Sequence, residues 1–229
     1  VPFGSKNEIG VIWKNKYSEP KNIKIKNIVR KTGYSIDAKL VDFIEWFSSY
    51  NMVPIGLVLK MVIGGTKNFF KMKDGPIQIK KTKLKKFELN SEQLEALKFL
   101  EKVQNKFDVS VLQGTTGSGK TLVYFERIKK IVNENCQALV LLPEIFLTND
   151  FKSRFEDFFG FEPAIWHSKI TPKNKRIIWK GLMNNKIKIL VGARSALLLP
   201  FKKLGIIIVD EEHDTSCLLY TSPSPRDNR

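Results

Sequence analysis

Residues 109–121 read Val-Ser-Val-Leu-Gln-Gly-Thr-Thr-Gly-Ser-Gly-Lys-Thr, and a helical pattern from Leu122 to Asn133 follows. A β-branched run, then G-x-x-x-x-G-K-[ST], then a helix is the order a phosphate-cradling loop requires. Glycines let backbone N–H groups converge on phosphate oxygens, and the following helix aims its positive end at them. Gly114, Thr115, Gly117, Ser118 and Gly119 are the expected cradle. Lys120 supplies a point charge between the β- and γ-phosphates, and the Thr121 hydroxyl completes the shell of a Mg²⁺ ion.

Downstream, three more short apolar runs are separated by helical patterns: Leu139 to Leu142, Ile187 to Val191 and Ile206 to Val209. With Val109 to Leu112 they give the alternation of a parallel sheet with helices on its faces, an α/β fold. The last run ends in Asp210-Glu211-Glu212-His213. Adjacent carboxylates at the end of a buried strand are costly unless they meet a cation. Asp210 is the expected Mg²⁺ carboxylate, and Glu211 the group that orients and deprotonates the attacking water. Together the two motifs predict a nucleoside triphosphatase, with ATP and Mg²⁺ as its cofactors.

Upstream, Ser91 to Gln104 are helical by period, with Ser91 as the expected cap. Before them lie two further blocks. Asp37 to Tyr50 place Leu40, Phe43, Ile44 and Phe47 three and four apart, an amphipathic helix begun by Asp37. Pro54 opens a second helix that ends at Gly64-Gly65. A Lys-rich stretch from Lys67 to Lys86 carries Phe69 and Phe70. Such a stretch can track phosphates and stack bases, and it reads equally as a solvated linker or β-wing. Ile9 to Trp13 alternate like a strand, and Lys21 to Lys31 alternate Ile with Lys, the end of a small β-rich unit.

The charge is uneven. Residues 1–86 hold 18 basic and 6 acidic residues, a net +12, whereas the remainder holds 21 and 17, a net +4. A basic half beside a near-neutral half points to an anionic polymer, nucleic acid first. Codon bias toward Lys is the competing account of the same excess. Hydrophobic residues at 42% and charged residues at 27% exclude wholesale disorder and a disulfide-dense scaffold. No apolar run is long enough to span a bilayer, and the opening Val-Pro-Phe-Gly-Ser-Lys has no signal core. That opening reads as the interior of a longer chain. Cys136 and Cys217 form no C-x-x-C pair, so a reducing, cytoplasmic setting and no membrane are expected.

With both motifs placed, the chain resembles the superfamily-2 helicases, and within them the replication-restart (PriA) family. The resemblance rests on LLPEIFLT (Leu141 to Thr148), WHSKITPKNK (Trp166 to Lys175), GARSALLLPF (Gly192 to Phe201), LGIIIVDEEHDTS (Leu204 to Ser216), the opening VPFG and YNMVPIG (Tyr50 to Gly56). It implies that residues 1–35 end a domain holding the 3′ end of DNA, and that 36–86 form a winged helix with a basic linker. Residues 87–216 would then form the first of two RecA-like lobes. It implies an adenine-reading role for Gln93 and contacts to DNA from Thr148, His167, Arg194 and Ser195. His213 would couple nucleotide state to DNA. The implied activity is ATP-driven 3′-to-5′ movement on single-stranded and forked DNA, with primosome proteins and single-strand-binding protein as partners.

The likeness stops at Ser216, and residues 217–229, a Ser/Pro/charge tail, are expected to be foreign to the fold. The second lobe with its arginine finger and the family's Zn²⁺ sites have no counterpart within 1–216, where no zinc ligand set occurs, so this chain alone is expected to be inactive as a helicase. Another superfamily-2 motor, such as an RNA helicase or restriction translocase, and a non-enzymatic DNA binder remain as alternatives.

Overall fold

The structure, a computed structural model, describes residues 2–3, 6–7, 10–13, 26–31, 33–63, 84–102, 107–115 and 117–211. The chain divides into two compact units, Val1–Asp74 and Gly75–Arg229. Most of the lysine-rich stretch, His213 and the 217–229 tail lie outside the described residues.

The first unit contains a short antiparallel pair, β1 (Pro2–Phe3) with β2 (Lys6–Asn7). Two helices follow, α1 (Ala38–Tyr50) and α2 (Ile55–Ile63). Asp37 caps α1 by accepting from the Lys39 N–H at 2.9 Å, as its position predicts. Ile44, Val58 and Val62 are fully buried, so each helix turns its apolar stripe inward. Residues 10–13, expected in a strand, are not in one. Trp13 instead donates its indole N–H to Glu45 on α1 at 3.0 Å, so a side chain fixes this segment where no ladder does.

The second unit is an α/β layer. Its helices are α3 (Ser91–Lys102), α4 (Lys120–Asn133), α5 (Asn149–Phe159) and α6 (Pro172–Met183). Its strands β3 (Gln137–Leu141), β4 (Ala164–Trp166), β5 (Ile189–Gly192) and β6 (Leu204–Val209) form a sheet in the order β4-β5-β3-β6, all parallel. β3 and β5 are buried on both faces, which is why Ala138–Leu141 and Ile189–Gly192 are unbroken apolar runs. On one face, Phe125 of α4 packs among Phe151, Phe155, Phe158 and Phe159 of α5, ring centroids 5.1–6.1 Å apart. Gln137 is buried, yet every part of its amide is used. It donates to Leu182 O and Ile187 O at 3.0 and 2.8 Å and accepts from Lys203 N at 2.9 Å.

Two further expectations need correction. Ser91 is the first helical residue of α3 and not its cap. Asn90 caps it, accepting from Gln93 N at 2.8 Å while Gln93 accepts from Asn90 N at 3.0 Å, a reciprocal box. The run Val109 to Gln113 is not a strand, and Val109 and Val111 are 73% and 87% exposed. β-propensity alone does not make a strand, since the backbone also needs a neighbouring ladder. β3 has both edges filled, by β5 and β6, and among the described residues no ladder takes up 109–113. No helix among the described residues is long and apolar enough to cross a membrane.

Candidate functional site

The site starts where α4 begins. Gly119 stands at the N-cap of α4 with φ +81°, in the left-handed region that glycine adopts freely, and no side chain caps the helix. A Cβ there would also collide with the Gln93 amide. Gln93 donates to Ser118 O at 3.0 Å, so the predicted adenine reader is braced against the loop at its other end. Lys120 turns onto its own loop, its Nζ donating to Gly114 O at 2.7 Å and Thr115 O at 3.0 Å. These carbonyl bonds are interactions that phosphate oxygens can replace with charge-assisted ones.

The acidic strand reaches the same place. Asp210 continues the ladder by donating its N–H to Leu141 O at 3.1 Å. Its Oδ1 accepts from the Glu211 N–H at 3.0 Å, and its Oδ2 accepts from the Tyr124 hydroxyl at 2.7 Å. Tyr124 lies on α4 and is buried. Burial first, and then the Asp210 carboxylate, push the phenol well above its usual pKa, so it stays protonated and a donor. Thus α4 and Asp210, which lies 86 positions beyond Tyr124 in sequence, meet through one side chain. Glu211 follows in a left-handed conformation, φ 54°. The sequence reading missed Tyr124. It sits inside an apolar stripe with Val123, Phe125 and Ile128, and periodicity reports only that such a face is buried.

A second group of loops lies at the carboxyl ends of β3, β4 and β5, the edge where ligands gather in open parallel sheets. Glu144, in a 3₁₀ turn after β3, accepts from the Ser168 N–H at 3.0 Å, with its other oxygen 3.3 Å from the Ser168 hydroxyl. These bonds hold its carboxyl below the usual range. Trp166, ending β4, donates its indole N–H to the Ser195 hydroxyl at 3.1 Å, and Lys175 lies over its ring, 5.8 Å from the centroid. Gly192 keeps β5 close, because a Cβ there would fall 2.7 Å from the Trp166 carbonyl. His167 accepts from the Lys169 N–H through Nδ1 at 3.2 Å. Arg194 is exposed in the 3₁₀ turn 194–198. His167 and Ser195 are therefore brought into one loop cluster, whereas Thr148 caps α5 by accepting from Phe151 N at 3.2 Å.

Comparison with known proteins fits this layout. A family model described as the type III restriction enzyme, res subunit, matches residues 86–221, and one described as a 3′DNA-binding domain matches residues 1–64. The second match runs past residue 35, where the sequence reading ended that domain. By the first match, which covers more than half of its length, the chain belongs to the res-subunit family. It is also a homologue of the replication restart protein PriA. The protein of that name from Rickettsia conorii is 38% identical over 221 residues, covering 94% of this chain and 33% of the relative. Those from Helicobacter pylori and Bacillus subtilis are each 43% identical, over 135 and 108 residues, which is 59% and 47% of this chain and 21% and 13% of theirs. The chain thus spans about a third of the length of the first relatives it matches.

Proposed function

We propose that this chain is the nucleotide-binding part of an ATP-dependent DNA helicase that restarts replication at stalled forks, moving 3′ to 5′ on single-stranded DNA. The observation that carries the nucleotide reading is the meeting of the α4 N-terminus and Asp210 through Tyr124. Backbone N–H groups from Gly114 to Thr121 bind the phosphates, and Lys120 exchanges its loop carbonyls for phosphate oxygens. Thr121 and Asp210 suit a Mg²⁺ ion, which binds through one or two protein oxygens together with substrate phosphates. When bound, that ion offsets charge on the transferring phosphoryl group. Glu211 orients the attacking water and takes its proton. Gln93 gives its remaining amide N–H to the adenine.

DNA lies over the loop cluster, with Arg194 and His167 toward the strand and Thr148 and Ser195 lending hydroxyls. The cluster is pre-tied by the Glu144–Ser168 and Trp166–Ser195 bonds, which favours a fixed track. His213 couples the two halves, residues 36–86 supply a winged helix, and primosome proteins and single-strand-binding protein are the partners. The res-subunit match supports a restriction translocase as the second reading, whereas the 3′DNA-binding match supports the first.

The test is equilibrium binding of a fluorescent ATP analogue to the 229-residue chain, alongside binding of forked DNA with a free 3′ end and of RNA of equal length. The proposal expects nucleotide binding strengthened by Mg²⁺, and a preference for the fork. Absent nucleotide binding contradicts the motor reading, and a preference for RNA contradicts the restart reading.

A further inference from the structure

We infer that Trp166 is a positioning residue of the loop cluster: its indole leaves the Ser195 hydroxyl as a donor and its ring holds Lys175, and these two groups together grip the phosphates of a single DNA strand. This deepens the DNA-track reading above and rests on it.

The hydroxyl comes first. An indole N–H donates and never accepts, whereas a serine hydroxyl can do either. The 3.1 Å bond between Trp166 Nε1 and Ser195 Oγ therefore has one direction, and Ser195 is its acceptor. The Ser195 proton must then point away from the indole. Ser195 is exposed in the 3₁₀ turn 194–198, and among the described residues no acceptor takes that proton. A hydroxyl in this state has the polarity that a phosphate oxygen needs.

The cation comes second. Lys175 stands in the first turn of α6, its Nζ 5.8 Å from the Trp166 ring centroid, within reach of a cation–π contact. Among the described residues it pairs with no carboxylate. The ring therefore orients the ammonium without cancelling its charge. Glu144, the acid of this cluster, places both oxygens on Ser168 instead. Trp166 can serve two elements because it is fixed from behind. It is 6% exposed at the end of β4, its carbonyl accepts from Ala193 N at 3.0 Å, and it lies level with Gly192 in the parallel ladder. One ring thus sets the separation between a hydroxyl on the turn after β5 and an ammonium on α6. Lysine and hydroxyl groups of this kind hold phosphates without reading bases. Spacing set in advance lowers the ordering cost when the strand binds.

The test is binding of oligothymidylate to the full chain across a salt titration, with the backbone amide shifts of Trp166, Lys175 and Ser195 recorded as the strand is added. Lys175→Met keeps an apolar stem over the ring and removes the charge. It is expected to weaken binding about three- to tenfold at low salt and to reduce the slope of log affinity against log salt by about 0.7, the loss of one phosphate contact. Lys175→Arg restores that slope. Trp166→Phe keeps a ring beneath Lys175 and removes the N–H. It is expected to weaken binding about two- to fivefold with the slope unchanged, and adding Ser195→Ala weakens binding no further, because the indole acts through the hydroxyl. An unchanged slope in Lys175→Met overturns the proposal. So does a Ser195→Ala substitution that costs its full factor in the Trp166→Phe background. Should the thermal midpoint of Trp166→Phe fall below the assay temperature, the Lys175 slope decides alone. Wild-type amides at these three residues that do not shift overturn the track reading itself, and this inference with it.

Discussion

The nucleotide edge and the neighbouring loop cluster lie along one sheet, yet their polar groups are paired in opposite ways. At the nucleotide edge, Lys120 bonds carbonyls of its own loop, partners that a phosphate can displace. In the loop cluster, Glu144 holds Ser168 and Trp166 holds Ser195, side chains tied across separate connections. Under the proposed function, one edge keeps exchangeable bonds for a ligand that comes and goes, and the other is tied beforehand as a surface over which a polymer can pass. Tyr124 belongs to neither pattern, since it locks Asp210 while leaving Lys120 free to change partners.

The contrast can be broken most strongly at Lys120. Lys120→Ala is expected to weaken nucleotide binding by about 10- to 100-fold, through loss of charge-assisted hydrogen bonds, while leaving fork-DNA affinity of the chain within about twofold. Equal losses in both assays would merge the two regions into one site. Gly192→Ala attacks the other side. Its Cβ would press the Trp166 carbonyl, and a destabilisation of about 1–3 kcal/mol is expected in denaturant unfolding.

The sequence carried the nucleotide edge farther than the loop cluster. A phosphate loop demands glycines, a lysine and a hydroxyl at fixed spacing, so Gly114 to Thr121 and Asp210 were legible from residue types. The loop cluster depends on pairings such as Trp166 with Ser195, 29 positions apart, which leave no local pattern. The same limit explains the run 109–113, whose composition predicts a strand but whose pairing is a property of neighbours. It explains Tyr124 as well, because an apolar stripe conceals a hydroxyl that points along it. The cap of α3 moved by one residue because both Asn90 and Ser91 are good caps, and only Asn90 has Gln93 three residues on.

Smaller effects sharpen the contrast further. Thr148→Ala is expected to cost about 1 kcal/mol of stability by uncapping α5, read as a lowered melting temperature. If DNA affinity falls while the melting temperature holds, Thr148 acts on DNA and not on the helix. Glu144 gives the smallest signal. Its carboxyl is held below the ordinary range by Ser168, so its contribution is complete above that range and disappears as pH falls through the lowered value. The Ser168 amide resonance should therefore shift in acid with a midpoint below that of an unhindered glutamate. A midpoint at the ordinary value would mean the Glu144–Ser168 tie is absent in solution.

The central claim is that the phosphate loop and the acidic strand hold one metal–nucleotide complex. Paramagnetic broadening of backbone amide signals by Mn²⁺·ATP tests it directly. The account predicts that amides of residues 117–121 and of Asp210 and Glu211 broaden together at substoichiometric Mn²⁺. Broadening confined to one of these segments, with the other unaffected, would contradict it.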